Sequence, residues 1–99
     1  MEHWLLSEEV DIVDHFERTL ADLGLQYQRL TLKKYKDCIH WHIRLLGSTG
    51  TLEATYLKET HKLWLDIRAG REAPWQQPVV AELESLFKNE GDLFRKDTL

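Results

Sequence analysis

A single cysteine, two prolines, five glycines and one methionine in 99 residues exclude several architectures at the outset. With only Cys38 there is no internal disulfide framework and no Cys-x-x-Cys zinc site. The sparse glycines form neither a P-loop nor a dinucleotide-binding pattern. Gly-x-Ser-x-Gly, His-Glu-x-x-His and helical Glu-x-x-His spacings are missing as well, so the sequence carries no catalytic signature and calls for no cofactor. It also shows no basic-then-apolar leader and no long apolar run, which makes a cytoplasmic location the expectation.

What is present fits one folded domain. Apolar residues make up 42% and charged residues 30%, far from the composition of a disordered chain. Two separate cores in this length would each be too small to offset chain entropy without disulfides or metal. The net charge of −4 conceals a division. Residues 1–24 sum to −6, residues 25–71 to +5 and residues 72–99 to −3, so the ends are acidic and the middle is basic.

Ser7, Glu8 and Glu9 read as a helix start, because a hydroxyl can accept an orphan amide and carboxylates suit the positive end of the dipole. Val13, Phe16, Leu20 and Leu23 then recur at helical spacing, with Glu9, Asp14, Glu17, Arg18 and Asp22 in other positions. Gly24 is a natural left-handed cap with Leu25 packed behind it. A blurred strand follows from Leu25 to Leu32, its mixed parity suggesting an edge or a bulge, and leads into a charged connection of Lys33, Lys34, Tyr35, Lys36 and Asp37.

The clearest signal is Cys38 to Leu46, where Ile39, Trp41, Ile43 and Leu45 alternate with Cys38, His40, His42 and Arg44. After a turn at residues 47–50, Leu52, Ala54 and Tyr56 alternate with Thr51, Glu53, Thr55 and Leu57. Centring the hairpin on Ser48 and Thr49 pairs Leu45 with Leu52, Ile43 with Ala54 and Trp41 with Tyr56. It sets Arg44 against Glu53 and His42 against Thr55 on the other face. A fourth strand points Leu63, Leu65, Ile67 and Ala69 inward and Trp64, Asp66 and Arg68 outward. Pro78 then opens a helix of about three turns, carried by Val79 or Val80, Leu83, Leu86 and Phe87.

The resulting expectation is an α+β fold in the order α-β-β-β-β-α: a four-stranded antiparallel meander with an N-terminal and a C-terminal helix packed on one face. Residues 1–88 form the domain and residues 89–99 a polar tail, frayed or docked through Leu93 and Phe94. The order is similar to that of the double-stranded-RNA-binding domain, which runs helix, three strands, helix. The similarity ends at topology: such domains carry a lysine cluster at the start of the last helix, where this chain has Pro78, Val79, Val80, Ala81 and Glu82.

Two helices cover one sheet face and leave the other open. On that face the sequence places His40, His42, Arg44, Glu53, Thr55, Trp64, Asp66 and Arg68. The leading expectation is a non-enzymatic binding or regulatory module that meets a protein partner, or a second copy of itself, through His40, His42, Arg44, Glu53, Trp64 and Arg68, since tryptophan and arginine are enriched at interfaces. Trp4 and Trp75 either join such a surface or close the ends of the core. A nucleic-acid module would use Lys33, Lys34, Lys36, Arg44, Trp64 and Arg68 to hold phosphates and stack a base. A zinc site would use His40 and His42, two places apart on one strand, with Cys38 or Glu53 as third ligand. Cys38 on its own reads as an inert filler.

Overall fold

The computed structural model describes residues 3–7, 11–31 and 37–97. The elements are β1 (His3–Leu6), α1 (Ile12–Asp22), β2 (Leu25–Leu30), β3 (Cys38–Leu45), β4 (Leu52–Leu57), β5 (Lys62–Ile67), α2 (Gln76–Asn89) and β6 (Phe94–Lys96). They build an α+β fold with two helices and a six-stranded antiparallel open sheet in the order β2-β3-β4-β5-β1-β6. The four-stranded expectation is therefore two strands short.

Both missing strands come from the ends of the chain. His3–Leu6 inserts beside β5, pairing Trp4 with Leu63, and Phe94–Lys96 adds beside it, pairing Leu6 with Phe94. Trp4, Leu6 and Phe94 are buried, and the Phe94 ring stacks on Phe87 at 4.2 Å. Within the tail, residues 94–96 dock as a sheet strand through Phe94, because burying Phe94 and Trp4 outweighs leaving the ends in water.

The start of the first helix moves for the same reason. Residues 3–6 are extended and Ser7 donates its amide to the Leu93 carbonyl, so the helix begins at Ile12. Asp11 caps it, Oδ1 accepting from the Asp14 amide at 3.1 Å. Glu8 and Glu9 fall outside the described residues, as do Lys33, Lys34 and Lys36. In α2, Pro78 stands third rather than first, at a position where its missing N–H leaves no helical bond unmade. The helix runs 14 residues, about four turns.

The inward parity read from β3, β4 and β5 holds: Trp41, Ile43, Leu52, Ala54, Leu63 and Leu65 are all buried. Ala69 lies past the end of β5 and is exposed. Phe16 of α1 meets Trp41 edge-on at 4.8 Å, and Phe87 of α2 meets Trp4 at 5.4 Å. Phe16 and Phe87 also meet each other at 6.2 Å, so both helices share one core. The blurred strand β2 is indeed an edge, with most of its residues exposed.

The hairpin register differs from the expected one. Ile43 pairs with Leu52, Trp41 with Ala54 and Ile39 with Tyr56, a shift of two residues. A two-residue shift keeps every side chain on its face, so alternation alone cannot exclude it. Tertiary contacts hold the turn in the observed register. Gln76, buried at the start of α2, donates Nε2 to the carbonyls of Thr51 (2.9 Å) and Arg71 (2.7 Å) and accepts the Ala73 amide. Gly50, at φ +92°, lies so close that a Cβ there would stand 2.7 Å from Ala73 Cβ. Trp75 Nε1 donates to the Thr49 carbonyl at 2.7 Å. The residues after Leu45 are thereby held against the start of α2, and the first cross-strand pair of the hairpin is Ile43 with Leu52.

One buried acid ties α1 to the sheet. Glu17 accepts two bonds from Arg29, at 2.6 and 2.8 Å, and one from Trp41 Nε1 at 2.8 Å. Its placement among the outward residues of α1 is corrected: it is buried, four residues from Val13 and three from Leu20. Hydrogen bonding from Arg29 holds the carboxyl below the usual carboxylate range, against the opposing effect of burial, with Trp41 adding to the lowering. The reciprocal bond raises the Arg29 guanidinium.

Three outcomes are expected. Glu17→Ala leaves the buried Trp41 N–H without an acceptor and should cost about 1–3 kcal/mol in chemical denaturation, whereas Glu17→Gln keeps an acceptor and should cost less. Because the folded carboxyl titrates below its unfolded value, its stabilisation is present above the unfolded pKa and lost as pH falls towards the folded one. The wild-type melting temperature should therefore drop more steeply below about pH 4.3 than that of Glu17→Gln; identical acid limbs would refute the role. Gln76→Ala strands two inward carbonyls and should destabilise by about 1–3 kcal/mol, and amide hydrogen exchange should reveal the opening first at residues 49–51.

Candidate functional site

The sheet face turned away from the helices is polar. Strand alternation puts His40 and His42 on it, and the observed register sets His40 beside Thr55 and His42 beside Glu53. Two further pairings complete the rows: Thr55 beside Trp64, and Glu53 beside Asp66.

The register brings one carboxylate between two imidazoles. Glu53 Oε1 lies 2.8 Å from His40 Nε2 and 3.5 Å from His42 Nε2. His40 Nδ1 is 2.9 Å from Thr55 Oγ1, so the ring is held at both nitrogens. The two histidine rings are 5.2 Å apart at 77°. Only 12% of the His40 side chain and 14% of the Glu53 side chain is exposed, against 29% of His42. One donor atom from each of the three residues lies within 4.8 Å of the other two.

Beside this trio lies a hollow of about 90 Å3, lined by His42, Arg44, Thr51, Glu53, Arg68 and Arg71. All three arginines are exposed, and none forms an ion pair among the described residues. The expected Arg44–Glu53 pairing is absent because the register moves Glu53 opposite His42; Arg44 pairs across β2 with Gln26 instead. Arg71 was not among the residues singled out from the sequence. It lies beyond β5, and only the fold of the loop around Gln76 brings it here.

Trp64 is half-buried rather than bare, with the His3 ring stacked on it at 5.1 Å and 14°. Cys38 lies on the same strand parity as the histidines but is 3% exposed, and burial raises its thiol pKa, which disfavours the thiolate. It does not join the group of donor atoms around Glu53. Trp4 belongs to the core, and Trp75 packs at its margin. Tyr27 and Leu46 are the large apolar side chains exposed among the described residues, so this face offers no broad apolar patch.

A larger hollow of about 570 Å3 opens by the start of α1, where Asp11, Asp14, Arg29, Lys58 and His61 mix charges of both signs around Ile39 and Tyr56. Among the described residues, no set of donor atoms converges there as it does around Glu53. No described helix is long and apolar enough to cross a membrane. Comparison with protein-family models, with curated proteins and with solved structures finds no match, so the reading of this face rests on its own geometry.

Proposed function

We propose that the protein is a non-enzymatic binding module whose polar sheet face receives an acidic segment of a protein partner. The observation that carries this reading is the convergence of Arg44, Arg68 and Arg71 on one hollow without a carboxylate partner among the described residues. Guanidinium groups present planar forks of N–H donors that match carboxylates, and they give up hydration more readily than ammonium groups. Thr51 and His42 add polar atoms at the rim. Scattered surface arginines are ordinarily just hydrated; three around one small hollow form a local field that favours an anion.

The charge pattern supports a protein segment over a nucleic acid. The chain carries −4 overall, which opposes a long polyanion, while a short acidic segment meets only the local positive field. Trp64 has one ring face taken by His3, which weakens the base-stacking alternative. The lysines at 33, 34 and 36 lie outside the described residues. A second copy would have to present its acidic ends, and a polar face of this kind supports such self-association only through charge.

The test compares ligands by fluorescence anisotropy: a labelled peptide rich in Glu and Asp against a single-stranded oligonucleotide, with sedimentation to report self-association. The reading expects the peptide to bind in preference and to weaken with salt. Arg68→Glu together with Arg71→Glu should reduce its affinity by about tenfold or more, through like-charge repulsion. Preference for the oligonucleotide, a concentration-dependent dimer that excludes the peptide, or binding indifferent to the arginine changes would each overturn it.

A further inference from the structure

We propose that His40, His42 and Glu53 bind one divalent transition-metal ion, with zinc the ion that their two-imidazole, one-carboxylate donor set suits best. The inference goes beyond the acidic-partner reading and does not depend on it; either can fail alone.

The donors come from two adjacent strands of a hydrogen-bonded sheet, so the backbone holds them in place without an ion. His40 and His42 project from alternate positions of β3, and Glu53 stands directly opposite His42 on β4. A tetrahedral zinc at about 2.0–2.1 Å from each ligand nitrogen places two imidazole centres about 5 Å apart. The centres here are 5.2 Å apart. Ligand atoms around such an ion are separated by about 3.3 Å. The two histidine-to-Glu53 distances are 2.8 and 3.5 Å, and no pair in the trio exceeds 4.8 Å. Side-chain rotation closes the remaining gap without moving a strand.

The surroundings also resemble those of a metal ligand. Thr55 Oγ1 engages His40 Nδ1 and leaves Nε2 facing Glu53; an outer partner of this kind orients a metal-bound imidazole and fixes which nitrogen coordinates. Glu53 and His40 are largely shielded from water, while His42 and one side of Glu53 border the hollow of about 90 Å3. Three protein ligands with one open side are the arrangement of a site that takes a fourth, exogenous ligand.

The arginines set the character of that fourth ligand. Arg44, Arg68 and Arg71 repel a bare dication, an effect only partly offset by Asp66 beside Glu53. The open position therefore takes an anion, such as hydroxide, a carboxylate or phosphate, which reduces the charge of the ion and pairs with the guanidinium groups. Buried Cys38 is not needed as a ligand.

The experiment uses the full chain after chelator treatment, titrated with zinc sulfate by calorimetry and with cobalt(II) chloride by visible absorption. One equivalent of zinc should bind, and cobalt should develop the intense visible bands of a four- or five-coordinate site. His42→Ala breaks no short hydrogen bond and should fold, as circular dichroism will report. It should weaken zinc binding by about tenfold or more, with Glu53→Gln giving a comparable loss and Cys38→Ser none. Side-chain nitrogen NMR of the wild type should show zinc shifting His40 and His42 while His3, His15 and His61 stay unchanged. The proposal is overturned if the wild type binds no stoichiometric zinc, if folded His42→Ala binds as tightly as the wild type, or if the shifted resonances belong to other histidines.

Discussion

The buried amide of Gln76 governs how the rest of the sheet is set. Its two donor bonds to the Thr51 and Arg71 carbonyls, with its acceptor bond from Ala73, hold the chain after β3 against the start of α2. A side chain 1% exposed cannot leave these groups unpaired without a penalty comparable to a lost buried hydrogen bond. The connection held there ends at Leu52, whose pairing with Ile43 fixes which residue of β4 faces which residue of β3. Glu53 consequently sits between His40 and His42, and Arg71 comes to the rim of the same hollow. Loop packing and surface chemistry are linked through one side chain.

A second constraint comes from the one-sided core. Trp4, Phe16, Trp41, Phe87 and Phe94 form a connected set of rings between the sheet and the helices. Burying that much aromatic surface draws both chain ends into the sheet, where β1 lies between β5 and β6. Among the described residues the opposite face meets no helix, and it carries imidazole, carboxylate, hydroxyl and guanidinium groups beside the half-buried Trp64. The proposals made for this face accordingly draw on polar recognition and coordination.

The sequence made the central strands legible because β3, β4 and β5 alternate over six or more residues, long enough for period two to stand out. It did not reveal β1 and β6. Strands of four and three residues offer too few alternations, and their partners are remote in sequence. His40 and His42 sharing a face was readable from spacing, but Glu53 facing them was not. Matching apolar pairs across the hairpin favoured a register two residues away, and both registers keep Leu52, Ala54 and Tyr56 inward. Glu17 escaped notice because a carboxylate in a helix is ordinarily solvated; its spacing from Val13 and Leu20 was the available clue. Arg71 carried no sequence signal, since loop packing alone positions it.

The most direct test of this account is the β3–β4 register itself, read from cross-strand nuclear Overhauser contacts between backbone protons in solution. The account predicts contacts joining His42 to Glu53 and His40 to Thr55. Contacts joining Arg44 to Glu53 and His42 to Thr55 would contradict it, because the carboxylate would then lie away from the two histidines and beside an arginine.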